Sequence, residues 1–156
     1  MIELNGEQKK KLLVLARNTI ADSLAIPGTR EAPDLSDEIF KNRCGAFVTL
    51  HIRGRLRGCI GYIQGVKPIP ETITEMARAS AFKDPRFPPL RAGEYNDIDI
   101  EISVLSPIET VTNVKDIVVG RDGLIMSRGF NSGLLLPQVP TEQGWDLETF
   151  LQQTCY

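Results

Sequence analysis

Apolar residues recur at helical spacing near the start of the chain, at Leu12, Leu13, Ala16, Ile20 and Leu24. Lys9, Lys10, Lys11 and Arg17 fall off that stripe and read as a solvated face. Asn5 and Gln8 have the spacing of a capping box, and Pro27-Gly28 ends the pattern. The spacing predicts a helix over about residues 6–25. Residues 27–44, rich in Pro, Gly, Asp and Glu, read as a surface loop with one helical turn at 36–40. The period then changes to two. Ala46, Val48, Leu50 and Ile52 alternate with Phe47, Thr49, His51 and Arg53. After Arg53-Gly54-Arg55, a second strand carries Leu56, Ile60 and Tyr62 on even positions.

Parity sets the register of this hairpin, because a one-residue slip turns a whole apolar set to the wrong face. Joining the two apolar sets puts Val48 opposite Ile60 and Ile52 opposite Leu56. Cys59 then falls opposite Thr49, and Arg57 opposite His51. A Cys-Arg-His-Thr cluster is therefore expected on the face turned away from the apolar side. A bulge at Gly58 or Gly61 would break that parity.

Downstream, Pro68-Ile69-Pro70-Glu71 opens a helix whose apolar stripe is Ile69, Ile73, Met76, Ala77, Ala81 and Phe82. It stops near Lys83-Asp84-Pro85, where proline disfavours helical geometry in the residue before it. Asp84-Pro85-Arg86-Phe87-Pro88-Pro89-Leu90 is a rigid irregular segment. Over residues 97–106, Ile98, Ile100, Ile102 and Val104 share one side of a strand, with Asp97, Asp99, Glu101 and Ser103 on the other. If that strand joins the hairpin's sheet, its acids share a face with Arg57 and His51. Residues 114–119 fit either a helix or a short strand. Gly120-Arg121-Asp122-Gly123 turns into Leu124-Ile125-Met126, and residues 129–133 make a second hairpin returning through Leu134-Leu135-Leu136. Residues 137–144 read as a loop, and Asp146 caps a last helix from Leu147 to about Cys155. Helices alternating with antiparallel hairpins, without repeated βαβ units, indicate an α+β fold with a mixed or antiparallel sheet and flanking helices.

Composition narrows the function classes. At 156 residues, 42% hydrophobic and 24% charged, the chain has the size and balance of one ordinary globular domain. No apolar run approaches the ~20 residues of a membrane-spanning helix. The N-terminus lacks the basic and apolar regions of a secretory signal, so no membrane association and a cytoplasmic location are expected. Cys44, Cys59 and Cys155 have no zinc-ligand spacing and read as free thiols. With one histidine, and Asp97, Asp99 and Glu101 alternating along a wet strand face, neither a metal nor another cofactor is expected. A net charge of -2 argues against binding duplex nucleic acid. Gly120-Arg121-Asp122-Gly123 lacks the Lys-Ser/Thr of a phosphate loop, and Phe47 is the one aromatic of the hairpin's polar face on which a base could stack.

The candidate chemistry lies in Leu56-Arg57-Gly58-Cys59-Ile60-Gly61. A thiol nucleophile reacts as the thiolate, which a neighbouring cation favours. Arg57 supplies the cation, His51 the general base and Thr49 a hydroxyl that orients either one. Alternatively, Arg57 binds a phosphate or carboxylate with backbone N–H groups freed by Gly58 and Gly61. Structural readings compete with these. Cys59 would be a small buried hydrophobe, and Arg57 would bridge to Asp99 or Glu101. Asp84 and Arg86 form either a helix-end cap with an ion pair or the rim of a pocket around Cys59.

These residues resemble the hallmark of the AMMECR domain family. The likeness runs from Gly45-Ala46-Phe47-Val48-Thr49 through the 84–90 segment and Ile102-Ser103-Val104-Leu105-Ser106. It continues through Gly123-Leu124, Leu136-Pro137-Gln138-Val139 and Gly144-Trp145-Asp146, in the family's order. The resemblance implies a single α+β domain over residues 1–156, in two unequal lobes, with a family pattern that runs on past the last helix. It implies a pathway shared with MEMO-like and radical-SAM proteins and a role in modifying a nucleobase, RNA or small metabolite, without an established mechanism. Two classes of function stay open. One is an enzyme or enzyme subunit acting through Cys59 and Arg57 on a small anionic or nucleotide-like substrate. The other is a non-catalytic module that binds a partner protein or presents a substrate. A homo-oligomer is compatible with both.

Overall fold

Asn5 closes its capping box as expected. Its Oδ1 accepts the Gln8 N–H at 2.8 Å, and its own N–H donates to Gln8 Oε1 at 3.0 Å. This starts α1 (Gly6–Ser23), which ends two residues early because Ala25 already takes a positive φ of 52°. The structure is a computed structural model describing residues 2–155; Met1 and Tyr156 lie outside it. The chain divides into two compact units of unequal size, the first ending at Ile108 and the second starting at Glu109. The fold class is α+β.

In the first unit the hairpin and the acid-alternating strand form one antiparallel sheet. β1 (Ala46–Ile52) is central, with β2 (Arg55–Tyr62) and β3 (Ile98–Val104) on either side. Ala46, Val48 and Leu50 face α1 and α2 (Ile69–Phe82) and are fully buried with Leu12, Ile20, Ile69 and Ile73. Burying each large aliphatic side chain is worth roughly 1.5–3 kcal/mol. The 36–40 turn appears as a 3-10 turn over Glu38–Lys41 that places Phe40 in the same core.

The parity register holds over most of the hairpin and fails near its turn. Val48 faces Ile60 and Thr49 faces Cys59, as expected. His51, however, faces Leu56, Ile52 faces Arg55, and Arg57 is the extra residue of a bulge. Arg53 and Gly54 both have positive φ, 50° and 75°, which marks the type I′ turn favoured in two-residue hairpins. Such a turn fixes Ile52 opposite Arg55. The apolar sets demand a register one residue away, and the bulge at Arg57 absorbs the difference. Arg57 is therefore not opposite His51, and Leu56 leaves the apolar side to lie 39% exposed.

The second unit contains β4 (Leu124–Arg128), β5 (Asn131–Leu135), α3 (Gln138–Gln143) and α4 (Leu147–Thr154). β4 and β5 form the expected hairpin, and residues 114–116 form a 3-10 turn. Asp146 caps α4, accepting the Thr149 N–H at 2.8 Å. Ile117, Leu124 and Phe150 make a small core against which Leu135 and Trp145 pack. The stretch read as a loop at 137–144 contains α3, which Gly144 ends in a left-handed conformation. Six residues are too few to show helical periodicity, and the prolines around them imitate a loop. Among the described residues, no helix is long and apolar enough to cross a membrane.

Candidate functional site

Cys59 lies on β2, the outer strand of the sheet, opposite Thr49. Its backbone N–H points away from β1 and donates to Asp84 Oδ2 at 2.9 Å, while Arg86 Nη2 donates to its carbonyl at 3.4 Å. The same pair is locked internally. Arg86 Nε donates to Asp84 Oδ1 at 3.0 Å, Nη2 to Oδ2 at 2.7 Å, and the Arg86 N–H to Oδ1 at 3.1 Å. An open strand edge is a liability for mispairing; here one carboxylate and one guanidinium close it at a single residue. The Asp84 side chain is 2% exposed and that of Arg86 54% exposed. The Arg86 hydrogen bonds hold the Asp84 carboxyl well below the usual carboxylate range despite its burial, and the Cys59 and Arg86 N–H groups add to that. Asp84 in turn raises Arg86 above its ordinary value, with the Cys59 sulfur contributing in the same direction. The ion pair expected of Asp84 and Arg86 is present, bound to the strand edge rather than capping the helix.

α2 reaches the hairpin through Ser80. Its hydroxyl accepts the Ile60 N–H at 3.0 Å and donates to the Val48 carbonyl at 2.6 Å, bridging two residues that face each other across the strands. A Cβ on Gly58 would collide with the Ser80 carbonyl oxygen, and one on Gly61 with the Ala46 carbonyl and the Phe47 ring. Both glycines therefore allow close approach, of a helix in one case and an aromatic ring in the other. Ser80 is not among the residues the sequence singles out; its signal is a serine among Met76, Ala77 and Ala81 on a buried stripe.

On the face away from the helices, Thr49 Oγ1 donates to Cys59 Sγ at 3.2 Å. Thr49 is 7% exposed and Cys59 half-buried. His51 is one step along β1 on that face, and among the described residues it makes no hydrogen bond with Cys59. Asp99 and Glu101 do join this face, opposite His51 and Thr49, yet Arg57 pairs with neither. Its Nε and Nη2 grip Glu94 Oε1 and Oε2, both at 3.1 Å, and Glu94 Oε2 also accepts the Arg91 N–H at 2.8 Å. The Arg57 guanidinium pushes the Glu94 carboxyl down. Glu94 belongs to a 3-10 turn over Ala92–Asp97 that precedes β3, a segment whose short polar sequence carries no periodicity. The bulge explains the switch of partner, because it takes Arg57 out of the ladder facing β1.

The structure thus brings Cys59, Thr49, Asp84 and Arg86 together, with Gly58 and Gly61 as packing positions and His51 at the margin. Of the other thiols, Cys44 is buried, which pushes it up, and Cys155 is exposed. Among the described residues, no three His, Cys, Asp or Glu side chains are grouped to hold a metal ion. A cavity of about 610 Å³ lies elsewhere, along α1 and β3.

Comparison with known proteins identifies the family. The family model for AMMECR1 matches residues 13–156. A protein of Methanothermobacter thermautotrophicus is 44% identical over 158 residues, covering 97% of this chain and 82% of its own length. One from Thermococcus onnurineus is 42% identical, covering 100% of this chain and 81% of its own. The crystal structure of an uncharacterised protein from Pyrococcus horikoshii superposes with a TM-score of 0.84 at 40% identity, over 97% of this chain and 80% of that one. The chain belongs to the AMMECR1 family.

Proposed function

We propose that the domain binds a small anionic ligand on the sheet face around Cys59, and that it presents this ligand to a partner protein that supplies the catalytic base. The observation that carries this reading is the Thr49 hydroxyl donating to Cys59 Sγ at 3.2 Å above a backbone clamped by Asp84 and Arg86. A thiol held this firmly is preorganised to meet a ligand. Among the described residues no base is hydrogen-bonded to its sulfur, which favours presentation over self-contained catalysis.

Arg86 is the anion contact. Its side chain is 54% exposed, and its Nη1 makes no hydrogen bond among the described residues, so these donors are available to a phosphate or carboxylate. Arg57 is engaged by Glu94 and shapes the site from behind, as do Gly58 and Gly61. His51 lines the margin. A nucleotide-like ligand suits the combination of anion contact and flat half-buried face, and MEMO-like or radical-SAM proteins are the class of partner the family association suggests. Titration of the nitrogen-15-labelled protein with inorganic phosphate and with adenosine monophosphate tests the binding. Amide shifts centred on Thr49, Cys59, Gly61 and Arg86, lost in Arg86→Ala, are expected. Shifts confined to α1 or to the second unit would overturn the reading.

A further inference from the structure

The other edge of the sheet, β3, carries an inference independent of Cys59. Because the Cys59 N–H points out of the β1–β2 ladder, the Thr49 backbone groups point toward β3, and those of its partner Glu101 point back. The Leu105 N–H donating to the Gly45 carbonyl at 2.8 Å belongs to the same odd-numbered set. The outward backbone groups of β3 are therefore those of Ile98, Ile100, Ile102 and Val104. Arg17 Nη2 satisfies the Ile98 carbonyl at 2.6 Å. Beyond it, Ile100 and Ile102 face no further strand among the described residues, where β3 ends the sheet and Ile2, Glu3 and Leu4 line the groove beside it.

Beside this edge runs the 610 Å³ groove, with Leu12, Leu13, Ile100, Ile102 and Val104 among its lining residues. Leu13 is 39% exposed there, on a helix whose other apolar residues are largely buried. We propose that this edge is a docking site for an extended peptide strand of a partner protein, in which apolar residues alternate with Lys or Arg. The backbone of such a strand would pair with Ile100 and Ile102, and its apolar side chains would rest on the groove. Its alternate side chains would meet the row of Asp99 and Glu101, so cations at those positions complement the edge. That row also argues against a second copy. Two β3 edges paired antiparallel would set acids against acids, and like charges directly opposite are destabilising.

The test uses the intact chain and an acetylated, amidated octapeptide alternating valine and lysine, followed by fluorescence anisotropy and amide hydrogen exchange. Binding is expected to slow exchange at Ile100 and Ile102 while leaving Asp99 and Glu101, already bonded to β1, unchanged. The combined reversal Asp99→Lys and Glu101→Lys should weaken binding roughly tenfold. Leu13→Asp, a change at the surface, should weaken it without unfolding the protein. Equal binding of a valine–glutamate peptide, or no protection at Ile100 and Ile102, would overturn the proposal. Concentration-dependent protection of those amides without peptide would also overturn it, by assigning the groove to a second copy.

Discussion

Asp84 accepts the backbone N–H of Cys59 at 2.9 Å, and through Arg86 the carbonyl of the same residue is met at 3.4 Å. Two side chains thus replace, at one residue, the strand missing from the outer edge of β2. Asp84→Ala leaves a buried N–H without its acceptor and Arg86 without its counter-ion, at a cost on the order of 1–3 kcal/mol. Asp84→Asn keeps an acceptor and should cost less. The pH dependence has a definite sign. Because the folded carboxyl titrates below its unfolded value of about 3.9, the unfolded chain takes up protons first. Asp84 therefore contributes fully above about pH 4, and its contribution fades as the pH falls below that. Melting curves should show the gap between wild type and Asp84→Asn narrowing in acid; a constant gap would contradict the ion-pair account.

Gly58 is required by the approach of α2 rather than by a ligand. Gly58→Ala forces the new Cβ into the Ser80 carbonyl and should cost about 1–3 kcal/mol in urea unfolding. Ser80→Ala removes the bridging hydroxyl but leaves Ile60 and Val48 facing each other, so its cost should be smaller. The reverse order would place the constraint on the hydroxyl and not on the helix–strand distance.

Arg57 and Glu94 form a two-pronged pair with side chains 12% and 30% exposed. Arg57→Ala and Glu94→Ala should each lower the melting temperature, and a double-mutant cycle should return a coupling of roughly 0.5–3 kcal/mol. Undiminished stability in Arg57→Ala together with loss of phosphate binding would return Arg57 to the role of direct anion contact.

What was legible in the sequence follows the length and regularity of each signal. The α1 capping box, the α2 stripe and the alternating strand β3 were all readable because period and caps agree. So was the facing of Thr49 and Cys59, which parity requires wherever both strands carry apolar sets. The Arg57–His51 facing failed because the turn imposes its own register, and Arg53 with positive φ is not announced by its residue type. Glu94 and Ser80 were missed for a different reason. Each acts through tertiary contact, one from a 3-10 turn without periodicity, the other from a helix position where serine replaces an apolar residue. The hallmark was visible as a strand with two glycines, but what the glycines admit depends on the helix and ring packed against them.

Cys59 is proposed as a fixed thiol beside an exposed guanidinium, and among the described residues no base is bonded to it. Site-resolved mass spectrometry of the native protein, treated in parallel with anionic iodoacetate and neutral iodoacetamide, tests it most directly. The ratio of the two rates should be higher at Cys59 than at the exposed Cys155. It should fall to the Cys155 value in Arg86→Ala, persist in Arg86→Lys and be unchanged in His51→Gln. A Cys59 as inert as the buried Cys44, or one whose ratio matches Cys155 in the wild-type protein, would contradict the account.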